Sequence, residues 1–115
     1  MSDAERRELI GQIKNTLTIP DEIADDFGGL VADAVMGGVW SRSGLSPRER
    51  SLITIAALTA LDRPHELEIH LGMGLSNGLE KKEICEVIMH MAIYGGFPVA
   101  VEGMRIAKEV FEKDA

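Results

Sequence analysis

The chain has 115 residues, enough for one domain that buries about two-thirds of its unfolded surface without a disulfide staple. Apolar residues make up 45% and charged residues 27%, the composition of a folded globule rather than a disordered chain. A formal charge of -7 argues against nucleic acid and anionic membrane surfaces as partners, because both are met by clustered Lys and Arg.

No apolar run approaches the ~20 residues of a membrane span. The stretch Met1-Ser-Asp-Ala-Glu-Arg-Arg7 lacks the apolar core of a signal peptide. A single cysteine, Cys85, permits no internal disulfide, so a reducing cytoplasm is the expected compartment. No linker or repeat divides the chain, which predicts one domain over residues 1–115.

In chain order, Asp3 to Thr16 reads as a short amphipathic helix, with Leu9, Ile10 and Ile13 against Glu5, Arg6, Arg7 and Glu8. Pro20 opens a second helix to about Val39, whose Ile23, Phe27, Leu30, Val31, Ala34 and Val35 recur at three- and four-residue spacing. Ser46-Pro-Arg-Glu49 is the cleanest helix start: Ser46 caps, Pro47 suits the first position, and Glu49 closes a capping box. The helix that follows, to about Leu61, is apolar nearly all round, so it should be wholly covered by the core or by a second subunit. Asp62-Arg-Pro64 breaks it. A fourth helix runs from Pro64 or His65 to Asn77, with Gly78 as its C-terminal cap. Leu79 to Glu83 leads into a fifth helix reaching Tyr94, and Gly95-Gly96 stops it. Phe97-Pro98 starts the last, which runs to about Lys113. Alternation is scarce and aromatics are only 4%, so no strand is supported. The expected fold is all-α, with about six helices.

Two of these helices each carry a glutamate four residues before a histidine: Glu66 with His70, and Glu86 with His90. That spacing puts both side chains on one helical face, one turn apart. Two such pairs on successive helices could face each other across a pocket, which points to acid–base chemistry. A metal site is the weaker alternative. The di-iron bundle pattern needs a spacing of three, and His65 and His70 are five apart rather than the four of a zinc-protease helix.

The pieces Trp40-Ser-Arg-Ser-Gly-Leu-Ser-Pro-Arg-Glu-Arg-Ser-Leu52, Glu66-Leu-x-x-His70, Leu75-Ser-Asn-Gly78, Glu83-Ile-x-Glu86 and Tyr94-Gly-Gly-Phe-Pro98 occur in order without large gaps. Together they resemble the carboxymuconolactone decarboxylase family of the alkylhydroperoxidase-D-like superfamily. The resemblance implies an all-helical protomer that assembles into rings, often a hexamer built as three dimers. One branch of the superfamily carries Cys-x-x-Cys before the histidine and works as a peroxidase, with one thiolate attacking and a second resolving. Here that segment reads Asp62-Arg-Pro-His-Glu-Leu-Glu-Ile69 and holds no cysteine. The resemblance is therefore to the lactone decarboxylase branch, and no cofactor is implied.

Decarboxylation of a carboxylated enol-lactone leaves an electron pair that needs a carbonyl sink, a hydrogen-bond donor at the carbonyl oxygen, and an acid that protonates carbon. His70 is the first candidate for proton transfer, with Glu66 orienting it. His90 with Glu86 is the second pair, and Tyr94, one further turn along, could donate to an oxyanion. Arg42 or Arg50 could clamp a substrate carboxylate. Arg42, in a loop, is the better clamp, whereas a long-range structural ion pair is the expected job of Arg50. Trp40 would pack over the pocket mouth. Cys85 reads as a small buried hydrophobe; a one-cysteine peroxidase is the alternative activity, and a non-catalytic oligomeric binding protein the other alternative. The expected partners are a small carboxylate and further copies of this chain.

Overall fold

A computed structural model describes residues 1–114. Among them are six α-helices and no strand, as the all-α expectation requires. The helices form two compact units, Met1–Gly44 and Leu45–Ala115, a division that no linker composition announces.

The first unit is α1 (Asp3–Thr16) and α2 (Ala24–Leu30), joined through a 3-10 turn at Asp21–Ile23. Ser2 caps α1 by accepting from the Glu5 N–H at 3.1 Å. The expected second helix changes pitch midway, widening into a π-helical stretch over Val31–Trp40. Its packing face also differs from the one its large apolar residues suggest. Ala24, Gly28, Gly29 and Ala32 are buried, while Ile23, Phe27, Leu30 and Val35 are exposed. Close approach of α1 explains this. A Cβ on Gly28 would lie 3.1 Å from Cγ2 of Ile10, and one on Gly29 would lie 2.9 Å from the Arg6 guanidinium. Arg6 then grips Asp33 with two hydrogen bonds of 2.9 and 3.0 Å.

The second unit contains α3 (Pro47–Ala60), α4 (Pro64–Ser76), α5 (Lys81–Tyr94) and α6 (Phe97–Asp114). The capping box forms as read: Ser46 Oγ accepts from the Glu49 N–H at 3.1 Å, and the Ser46 N–H donates to Glu49 Oε1 at 2.8 Å. Asp62, in the break after α3, takes a left-handed φ of 55°, and Gly78 takes 97° where α4 ends. The Glu80 N–H donates to Glu83 Oε1 at 2.9 Å, a second box opening α5.

The core of this unit is Ile55 from α3, Leu67 and Leu71 from α4, Leu79, Ile84, Ile88 and Ala92 around α5, and Ala100, Ile106 and Ala107 from α6. Helices α3 and α6 each pack against both α4 and α5, whereas α4 and α5 meet each other only sparingly. Gly103 allows a tight approach of α6. A Cβ there would sit 3.0 Å from Cγ2 of Ile88 and 3.3 Å from Cγ2 of Thr59. Helix α3 is not wholly covered by its own chain. Ser51, Ile55 and Thr59 are buried, but Ile53 is 56% exposed, so the core covers one side only.

The reciprocal cap at Ser46 leads to a first prediction. Ser46→Ala leaves the Glu49 N–H without its side-chain acceptor and lowers unfolding stability by about 1 kcal/mol in a urea titration.

Candidate active site

Helix α4 turns Leu67, Leu71 and Gly74 into the core, at spacings of four and three residues. Glu66 and His70 lie on a flank of that stripe. Glu66 is exposed, and His70 is half-buried. Burial pushes the His70 imidazole below its ordinary value of 6.5, and the Glu66 carboxylate, one turn earlier, opposes that shift. The net is a histidine that is mostly neutral at pH 7 and whose protonated form is a stronger acid than a free imidazolium.

Helix α5 behaves differently. Ile84, Ile88 and Ala92 form its buried stripe, which leaves Glu86, His90 and Tyr94 on the exposed side. The His90 and Tyr94 rings lie 4.9 Å apart, tilted by 32°, so the i, i+4 spacing does bring these two together. Tyr94 is 76% exposed. The two Glu–His pairs therefore sit in different surroundings, on two helices that meet each other only sparingly.

Two grooves stand out, and neither is lined by Glu66, His70, Glu86, His90 or Tyr94. One, of about 770 Å³, belongs to the first unit and runs between α1 and α2, with Arg6, Lys14, Asp25 and Asp33 in ion pairs along it. The other, of about 330 Å³, lies between α5 and α6, where half-buried Cys85 meets Met104, Ala107 and Phe111. Among the described residues, no three His, Cys, Asp or Glu side chains gather as metal ligands would.

Of the candidate anion clamps, Arg50 is half-buried in the first turn of α3, and Arg42 is exposed in the turn that ends the first unit. Trp40 closes the π-helical stretch, half-buried. Two polar contacts were missed by the sequence reading. Arg48 pairs with Glu83, tying the first turn of α3 to that of α5. Asn77, at the end of α4, donates to the buried Ser51 Oγ at 2.9 Å. The signal for the first was available: Glu83 closes the box of α5 and so faces back along the chain. Its carboxyl is held below the usual carboxylate range by the Glu80 N–H and then by Arg48. Nothing in the spacing of Ser51 and Asn77 marks the second.

Glu66 and His70 both fall within the region that comparison with known proteins matches. The family model described as carboxymuconolactone decarboxylase family matches residues 25–109. This chain belongs to that family. It is 38% identical over 109 residues to a 4-carboxymuconolactone decarboxylase of Acinetobacter baylyi, spanning 93% of this chain and 81% of that protein. It is 28% identical to a nitrosuccinic acid decarboxylase of Metarhizium robertsii, spanning 90% of this chain and 74% of that protein. No helix among the described residues is long and apolar enough to cross a membrane.

The depressed His70 predicts a pH dependence of stability. Between pH 5 and 7 the unfolded chain binds more protons at this position than the folded one, so stability falls as pH drops through 6.5. Urea midpoints of the wild type should fall more steeply from pH 7 to 5 than those of His70→Gln.

Proposed function

We propose that this protein is a carboxy-lyase acting on a small carboxylated lactone or a related acid, with His70 as the proton donor. The observation that carries this is the half-buried His70 one turn after Glu66, inside the segment matched by the family. The named relatives support the reaction class, since both are called decarboxylases, of a carboxylated lactone and of a nitro-substituted succinic acid.

The steps balance without a cofactor. The bond between carbon and the departing carboxylate breaks, and carbon dioxide leaves. Its bonding electron pair stays on the substrate, spread into the conjugated acceptor group. The His70 imidazolium then transfers a proton to carbon and is reprotonated from water, so the cycle consumes one solvent proton. Burial makes that imidazolium a stronger acid, and the Glu66 carboxylate keeps enough of it protonated to work near neutrality. Arg50, in the same unit as His70, meets a substrate carboxylate, Arg being the side chain that binds one bidentately. Glu86, His90 and Tyr94 form a second group whose oxyanion role requires cover from water. The protein works as a homo-oligomer, in the ring of dimers implied by the family resemblance, and in the cytoplasm.

The test is decarboxylation of 4-carboxymuconolactone by wild type and variants, followed as carbon dioxide release. His70→Gln lowers kcat by about 100-fold or more. Wild-type kcat/KM declines as pH rises through the depressed His70 value, and the variant loses that limb. A His70→Gln variant that is folded and fully active removes His70 from the mechanism. Alkylation of Cys85 leaves turnover unchanged; abolished turnover would instead favour thiol chemistry.

A further inference from the structure

We propose that Asn77 is a positioning residue: it fixes the first turns of α3, and with them Arg50, against the helix that carries His70. The inference rests on the carboxy-lyase reading, in which His70 gives the proton and Arg50 holds a carboxylate. The Asn77 side-chain amide donates to Ser51 Oγ at 2.9 Å. Ser51 follows Arg50 directly in the chain and is fully buried. One turn further along α3, Cδ1 of Ile55 lies 3.0 Å from where a Cβ on Gly74 would be. Positions 51 and 55 of α3 thus face 77 and 74 of α4, so the two helices run antiparallel. His70 precedes Asn77 by seven residues on α4, which is about 10 Å along the helix axis. One helix therefore carries the proton donor and, near its other end, the anchor for the clamp.

Both sides of this link are stiff. The Asn77 N–H donates to the Met73 carbonyl at 2.8 Å, which holds its backbone to the end of α4. The Arg50 N–H donates to the Ser46 carbonyl at 2.9 Å, and the Arg50 carbonyl accepts from Thr54 Oγ1 at 2.7 Å. The Arg48–Glu83 pair ties the same turn to α5, but its side chains are 42% and 37% exposed, so water screens it. The bond from Asn77 ends on a fully buried hydroxyl and is the better shielded of the two. The chemistry makes the placement matter. A leaving carboxylate loses its charge as carbon dioxide forms, so an arginine paired with it would stabilise the starting acid more than the transition state. Arg50 therefore serves on an anionic group that stays behind. Such a hold acts on substrate and transition state alike, and its loss shows in KM rather than in kcat. Asn77, acting through Arg50, shares that signature.

Steady-state decarboxylation of 4-carboxymuconolactone by Asn77→Ala, Arg50→Ala and the double variant tests the assignment. Asn77→Ala should raise KM by about 10-fold and leave kcat within about 2-fold. Arg50→Ala should raise KM by on the order of 100-fold. Adding Asn77→Ala to Arg50→Ala should then change KM by less than about 2-fold, because the two act as a unit. The pH limb that belongs to His70 should stay in place in Asn77→Ala. Ser51→Ala removes the same bond from the other side and should give the same KM, which covers the case in which Asn77→Ala fails to fold. An unchanged KM in either folded variant, a loss confined to kcat, or a full further rise in KM on the Arg50→Ala background would overturn the role of Asn77 and leave the carboxy-lyase reading intact. A wild type without turnover, or a folded His70→Gln as active as the wild type, would overturn both.

Discussion

The second unit depends on how α3 is seated. Ser51, Ile55 and Thr59, spaced one turn apart, are almost wholly inaccessible where α3 meets its neighbours. Two of these three side chains are polar, and each is satisfied. Thr59 Oγ1 donates to the Ile55 carbonyl at 2.8 Å, and Ser51 Oγ accepts from Asn77 at 2.9 Å. A buried hydroxyl without a partner would cost about 1–3 kcal/mol, so these bonds allow so narrow a stripe to lie at the centre. Helices α4 and α5 both pack against α3 and α6 but meet each other only sparingly. Each histidine therefore has its own surroundings.

The difference has chemical consequences. His70, beside the core residue Leu71, loses enough water to favour its neutral form, while the charge on Glu66 keeps the protonated form accessible. Opposing influences of this kind hold a group near the pH at which it must both gain and lose a proton. His90 has an aromatic neighbour in place of a core, and its helix turns it outward. The two glutamate–histidine pairs therefore differ: the histidine of one is half-buried, and that of the other is exposed.

What the sequence disclosed was local. Ser46-Pro47 with Glu49, Gly78 after α4 and Gly95-Gly96 after α5 are chain punctuation, set by backbone hydrogen bonds and φ within a few residues, and each helix boundary fell close to where they put it. The i, i+4 pairs were equally local, and His90 does meet Tyr94. Periodicity tells which residues share a face but not which face turns inward. On α5 the Ile84–Ile88–Ala92 stripe and the Glu86–His90–Tyr94 stripe have the same spacing, and hydrophobicity turns the first inward. On α2 hydrophobicity misleads. There the bulky Phe27 and Leu30 suggest a core, whereas close approach to Ile10 and Arg6 selects the small residues Gly28 and Gly29. The family resemblance carried the reaction class, which no single spacing in the chain could specify.

The central claim is that burial and Glu66 act on His70 in opposite directions and leave it a tuned proton donor. An NMR titration of the His70 imidazole in wild type and in Glu66→Gln tests it most directly. The account predicts a wild-type value below 6.5 that falls further when the Glu66 charge is removed. A value at or above 6.5, or one that rises in Glu66→Gln, would contradict it.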